Sequence, residues 1–92
     1  MPQVFRVSDY LVYFWTNEGK PLEPLHVHIT NEVPNENDTK IWITAAGKCL
    51  ICHNKSNVPT HKLNKIIKII EARNTEVVSK WKDYFGEISY FC

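Results

Sequence analysis

The chain has 92 residues, which is the length of a single domain. It is 43% hydrophobic and 12% aromatic, a composition that is typical of a globular protein and excludes a disordered one. No apolar run approaches the roughly 20 residues of a membrane span, and the N-terminus has no basic segment leading into an apolar stretch. We therefore expect a cytoplasmic protein with no membrane partner.

The net charge of +1 hides an uneven distribution of charged side chains. Residues 1–40 carry three basic and six acidic side chains, whereas residues 41–92 carry eight basic and four acidic ones. The basic excess in the second half permits contacts with phosphate groups, but it is too small to demonstrate them.

The first half of the chain has the pattern of β-strands. Residues 4–7 predict a short strand, and Ser8 and Asp9 predict the turn that follows it. Residues 10–16 are β-branched and aromatic, which predicts a strand that is buried on both faces or packed under a helix. Residues 17–21 have the turn chemistry of a loop.

Residues 25–30 alternate strictly between apolar and polar side chains, which predicts a strand with two different faces. One face carries Leu25, Val27 and Ile29. The other face carries His26, His28 and Thr30. Residues 40–44 and 49–53 are two further strand candidates, which residues 45–48 can join by a turn.

The second half of the chain changes to helical periodicity. We predict a helix that Ser56 or Asn57 caps, with Pro59 in its first turn and Gly86 as its stop. The residues at Asn74-Thr75 are weak helix formers and predict a kink or a division there. The predicted apolar stripe consists of Leu63, Ile66, Ile67, Ile70, Val77, Trp81 and Phe85.

These elements predict one α+β domain over residues 1–92. It consists of an antiparallel sheet of about four or five strands with one or two C-terminal helices packed on one face. The tail, residues 87–92, is apolar enough for us to expect an additional edge strand.

The histidine pair is the most informative local pattern. Side chains at positions 26 and 28 of a strand project from the same face, about 7 Å apart at the backbone. Two imidazoles so placed can share a metal ion, or act as acid and base in cleaving a phosphodiester through its 2′-hydroxyl. The alternative is that His26 and His28 lie on a solvated face and have no role.

The residues around the pair add a resemblance. Three segments of the chain together match the pattern of one protein family. They are Glu23-Pro24-Leu25-His26-Val27-His28, the following strand that contains Trp42, and the C-terminal segment Trp81-Lys82-Asp83-Tyr84-Phe85-Gly86. The chain resembles a small bacterial family of unknown function that has an E-P-x-H-V-H signature. Some members are named as the toxin of a type II toxin–antitoxin pair, the DhiT group.

The resemblance implies a toxin-like protein whose partner is an antitoxin-like product of an adjacent gene. It implies no catalytic residues, so Glu23, His26 and His28 carry over only as signature positions. Residues 45–53 depart from the family pattern because they carry cysteines.

Side-chain chemistry suggests more specific roles. In an RNA-cleaving protein, His26 and His28 would be the acid and base, and Glu23 would orient one of them. Helix side chains would hold the phosphates of the RNA, namely Lys62, Lys65, Lys68 and Arg73. The alternative interpretation is a non-catalytic module that binds the product of a neighbouring gene, with the lysines forming a solvated helix face.

The pattern Cys49-x-x-Cys52-His53 is formally that of c-type haem attachment, and with His61 it offers ligands for zinc. A straight strand would point the two cysteines to opposite faces, and haem attachment requires export. A redox pair would need a turn between a strand and a helix. We therefore predict incidental, reduced thiols with no metal and no cofactor.

Overall fold

A computed structural model describes residues 2–16 and 22–92. It confirms the α+β class, with five strands followed by two helices. The strands are β1 Gln3–Val7, β2 Tyr10–Tyr13, β3 His26–Thr30, β4 Thr39–Ile43 and β5 Cys49–His53. The helices are α1 Thr60–Ala72 and α2 Asn74–Phe85. The predicted loop at 17–21 lies outside the described residues.

The five strands form one antiparallel sheet in the order β1-β2-β3-β4-β5, so each strand pairs with its neighbour in sequence. Both edge strands are irregular. The pairing skips Val4 in β1 and Cys52 in β5. The Glu71 carboxylate accepts a hydrogen bond from the Cys49 backbone N–H of β5 at 3.0 Å. Bulges and covered backbone N–H groups at an edge strand disfavour its pairing with the edge strand of another molecule.

The core lies between the helices and one face of the sheet. Val27 and Ile29 of β3 are fully buried there, as the alternating pattern predicts. Across the strands they face Ile41 and Val12 respectively. The helices contribute Leu63, Ile66, Ile70, Val77 and Trp81.

The predicted helix is divided, as its weak central residues indicate. Residue 73 leaves helical geometry, with φ of −114°. Gly86 adopts a left-handed conformation, with φ of 72°, and ends α2 as predicted. Among the residues that the structure describes, neither helix is long and apolar enough to cross a membrane.

The predicted N-terminal cap of the helix is wrong. The first helix begins at Thr60 and has Pro59 at its N-cap position, without a side-chain cap. The Ser56 hydroxyl instead lies 2.7 Å from the Thr39 hydroxyl. This hydrogen bond holds the connection between β5 and α1 against β4. Asn57 takes a left-handed turn with φ of 56°, which ends any continuity with the helix.

The tail does not form the expected edge strand. The Leu25 N–H donates to the Ser89 carbonyl at 2.8 Å, and the Ala45 N–H donates to the Cys92 carbonyl at 3.1 Å. Leu25 precedes β3 and Ala45 follows β4, so these bonds go to two different segments. The tail therefore crosses the sheet end and cannot build a ladder along one strand.

Candidate functional site

The sheet face that is turned away from the helical core carries most of the chemically distinctive side chains. We call this surface the outer face. Cross-strand pairs place its members next to one another: Tyr13 with His28, His28 with Lys40, His26 with Trp42, and Trp42 with Leu50. Both signature histidines therefore belong to one surface, as the alternation in β3 predicts.

The two histidine rings touch. Their centroids are 5.2 Å apart and their planes are almost perpendicular. They differ in exposure, because His26 is 1% exposed and His28 is half-buried. The two rings therefore have different access to a ligand.

His26 is held by aromatic neighbours. Its Nδ1 lies 2.9 Å from the Pro24 carbonyl oxygen, and its ring contacts the edges of Trp42 and Trp81 with centroids at 5.6 and 5.3 Å. The β2–β3 ladder ends at the pair formed by Tyr13 and His28, which leaves room for Trp81 of α2 to reach His26. The alternative that both histidines lie on a solvated face is therefore wrong for His26, because this ring is buried.

His28 stacks on Tyr13, with centroids 5.5 Å apart. Burial lowers the pKa of His28 from 6.5 to about 4, with help from His26 and Lys40, and a hydrogen bond to the Asp38 backbone acts in the opposite direction. Its Nδ1 is buried and has no hydrogen-bond partner among the described residues. His28 is therefore neutral at physiological pH and can accept a proton, but it cannot donate one as an imidazolium.

The phenol of Tyr13 ties the outer face to the β3–β4 loop. Its hydroxyl donates to the buried Asp38 carboxylate at 2.5 Å, and the Asn35 N–H donates to the same oxygen at 3.1 Å. Burial raises the pKa of Tyr13, and the bond to Asp38 raises it further. Sequence reasoning missed this pair because 25 residues separate the two partners.

Glu23, the third predicted catalytic residue, contacts a lysine of the outer face. The Lys40 ammonium donates to its Oε1 at 2.6 Å and lies 4.4 Å above the centroid of the Trp42 ring. The positive charge nearest the histidines is thus already compensated by a carboxylate. The role of Glu23 in orienting a histidine stays a prediction.

The predicted phosphate-binding lysines lie elsewhere. Lys62, Lys65 and Lys68 are exposed on α1, whose opposite side packs on the core through Leu63 and Ile66. The sheet therefore separates these lysines from the histidine pair. Their contact with nucleic acid stays a prediction, and any such contact would use a different surface from that of the histidines.

Arg73, the fourth predicted phosphate-binding residue, already has local partners. Its guanidinium lies 4.0 Å above the Phe5 ring and donates to Glu76 from Nε at 2.5 Å and from Nη2 at 2.7 Å. It therefore packs the α1–α2 junction against β1.

An apolar patch lies beside the histidines. Trp42 and Leu50 are cross-strand neighbours, and the Phe91 ring of the tail lies parallel to Trp42 with centroids 4.9 Å apart. Leu50 is 42% exposed and Phe91 is 58% exposed. We call Trp42, Leu50 and the covering Phe91 the Trp42 patch. The sequence does not reveal this patch, because the tail that it predicts as an edge strand instead brings Phe91 onto Trp42.

The cysteines show no arrangement for metal binding within the described part of the chain, where no group of three or more His, Cys, Asp or Glu side chains is placed to hold a metal ion. Burial and the nearby Glu71 raise the pKa of the Cys49 thiol to about 12. Cys52 is exposed at the bulge of β5.

Comparison with known proteins gives one match. A family model described as "Domain of unknown function (DUF4160)" matches residues 9–82. No curated protein and no solved structure matches the chain. The matched residues include β2, β3 and β4, and therefore both histidines and Trp42.

Proposed function

The chain belongs to the DUF4160 family, and we propose that it is the toxin-like member of a two-protein pair in the cytoplasm. Its partner is the product of an adjacent gene, as in type II toxin–antitoxin pairs. The partner binds to the outer face of the sheet, at the Trp42 patch.

The observation that carries this proposal is the exposure of adjoining apolar side chains at the Trp42 patch. Isolated exposed hydrophobic residues are ordinary, whereas adjoining ones are typical of interaction surfaces. Leu50 lies beside Trp42 in the sheet, Phe91 of the tail stacks on Trp42, and the nearest lysine, Lys40, is paired with Glu23. Interface centres are typically aromatic and poor in unpaired charge, as this patch is.

RNA cleavage at the histidine pair is a second candidate function. The ring contact between His26 and His28, and a half-buried His28 that is neutral at physiological pH, favour it. The Nδ1 of His28 is itself buried, which weighs against its use as a base. The burial of His26 weighs against it, because a phosphodiester cannot touch a ring that is 1% exposed. Binding of a protein partner needs no such access, and is therefore the function that the geometry supports better.

A binding measurement tests the proposal. The chain and the product of the adjacent reading frame are purified separately and titrated by calorimetry. We expect Leu50→Asp to weaken binding at least tenfold, because it places a charge in the apolar patch. Val33→Asp is the matched control, since Val33 is 79% exposed on the β3–β4 loop at the other end of β4. Equal binding by both variants and the wild type would exclude the Trp42 patch.

A further inference from the structure

The tail reaches the Trp42 patch by an indirect path. Gly86 turns the chain out of α2 in a left-handed conformation. The tail carbonyls of Ser89 and Cys92 then accept hydrogen bonds from Leu25 and Ala45, which lie at the same end of the sheet. Ile88 packs against the core. Beyond it, among the residues that the structure describes, two isolated backbone bonds hold residues 89–92, in place of the continuous ladder that fixes a strand.

The contact between Phe91 and Trp42 is similarly limited. The rings are parallel to within 6°, but Phe91 remains 58% exposed, so only one of its faces is covered. An aromatic pair of this kind changes an equilibrium by a factor of about 2 to 10. The end of the tail beyond Ile88 can therefore be displaced by a ligand of modest affinity.

The contacts that the tail makes also indicate which kind of ligand would fit the Trp42 patch. The surface offers the flat side of Trp42 and the backbone N–H groups of Leu25 and Ala45. An extended peptide with an aromatic side chain, and a backbone carbonyl on either side of it, satisfies all three. A nucleobase would satisfy the ring contact alone, and the ion pair between Lys40 and Glu23 leaves little attraction for phosphate.

We propose that the end of the tail, residues 89–92, is an internal substitute for the partner. The partner displaces it by inserting an extended segment whose aromatic side chain replaces Phe91 on Trp42. This inference rests on the proposed function and adds the chemistry of the partner's contact and its regulation. Phe91 lowers the affinity for the partner, because the tail must first leave the patch.

The first test uses the full-length chain and the product of the adjacent reading frame. We expect Phe91→Ala to bind that protein about 2 to 10 times more tightly than the wild type, because the competing ring is gone. Tyr84→Ala is the matched control, since it removes another exposed ring from α2. Weaker binding by Phe91→Ala would show that Phe91 contacts the partner, and would overturn the competition.

The second test needs no natural partner. Full-length Phe91→Ala is titrated with a synthetic peptide of residues 87–92 carrying Cys92→Ser, while the indole N–H signal of Trp42 is followed by NMR. We expect a saturable shift with this peptide, and a several-fold smaller shift with the same peptide carrying Phe91→Ala. Equal shifts from the two peptides would overturn the inference.

The two tests separate the inference from the proposed function. If the adjacent product binds no form of the chain, the proposed function fails, and the peptide titration still decides whether Trp42 accepts an aromatic side chain. If the product binds the wild type and Phe91→Ala equally, the proposed function stands and the displacement of the tail is wrong.

Discussion

His28 of β3 stacks on Tyr13 of β2, and the hydroxyl of Tyr13 is in turn held by Asp38. This arrangement buries an imidazole whose ordinary pKa is 6.5. It explains why the pKa of His28 falls from 6.5 to about 4.

Stability should therefore depend on pH through His28. The unfolded chain binds a proton at His28 more readily than the folded one, so the contribution is complete above about pH 6.5 and is lost as the pH falls toward 4. We expect the wild type to lose up to about 3 kcal/mol more than His28→Gln over this range. Urea denaturation between pH 7.5 and 4 measures the difference.

His61→Gln is the control for this experiment, because His61 is exposed on α1. It should show the same pH dependence as the wild type. Identical pH profiles for the wild type and His28→Gln would show that His28 is not buried against Tyr13.

The packing of α1 makes a second prediction. Ile66 and Ile70 are buried, whereas Ile67 between them is only half-buried. Truncation of Ile66 or Ile70 to Ala should cost about 2–5 kcal/mol, because it leaves a cavity in the core. Ile67→Ala should cost clearly less in the same denaturant titration. An equal or larger cost at Ile67 would mean that the helix presents a different face.

The cysteines should differ in reactivity. The thiolate is the reactive form, and burial raises the pKa of the Cys49 thiol to about 12, while Cys52 and Cys92 are exposed. Iodoacetamide at pH 8 should modify Cys52 and Cys92 in the native protein, and all three in urea, as read by mass spectrometry. Rapid native modification of Cys49 would contradict the geometry of β5.

Replacing all three cysteines by serine should leave a folded protein, since each has a free thiol. Circular dichroism and elemental analysis check this. Stoichiometric zinc that is lost in the triple variant would contradict it.

Local periodicity was sufficient to predict most of the fold. The alternation in β3 separates Val27 and Ile29 from the histidines, and the weak helix formers at Asn74-Thr75 mark the break between α1 and α2. These features depend only on residues that are close in sequence. The period of a strand or of a helix determines which of those residues share a face.

The features that were not predicted depend on distant partners. Trp81 has the spacing of an ordinary core residue, yet it also reaches His26 because the β2–β3 ladder ends early. Ser56 is a good helix cap by type, but Thr39 competes for its hydroxyl. The tail is apolar, but whether it forms a strand or crosses the sheet depends on the donors at Leu25 and Ala45.

The histidine pair gives a prediction that separates the two candidate functions. If the protein acts by binding, His28→Gln should keep its affinity for the adjacent gene product and any growth arrest on induced expression. If it cleaves RNA, the same variant should lose the arrest while still binding. His26→Gln is less informative, because removing a ring packed between Trp42 and Trp81 should also destabilise the fold.

The central claim is that the outer face binds a cognate protein at the Trp42 patch. The most direct measurement is an NMR titration of the isotope-labelled full-length chain with the product of the adjacent reading frame. We expect the largest shifts at Trp42, Leu50 and tail residues 87–92, with little change along the exposed side of α1. Shifts concentrated at Lys62, Lys65 and Lys68, with the Trp42 patch unchanged, would contradict the claim.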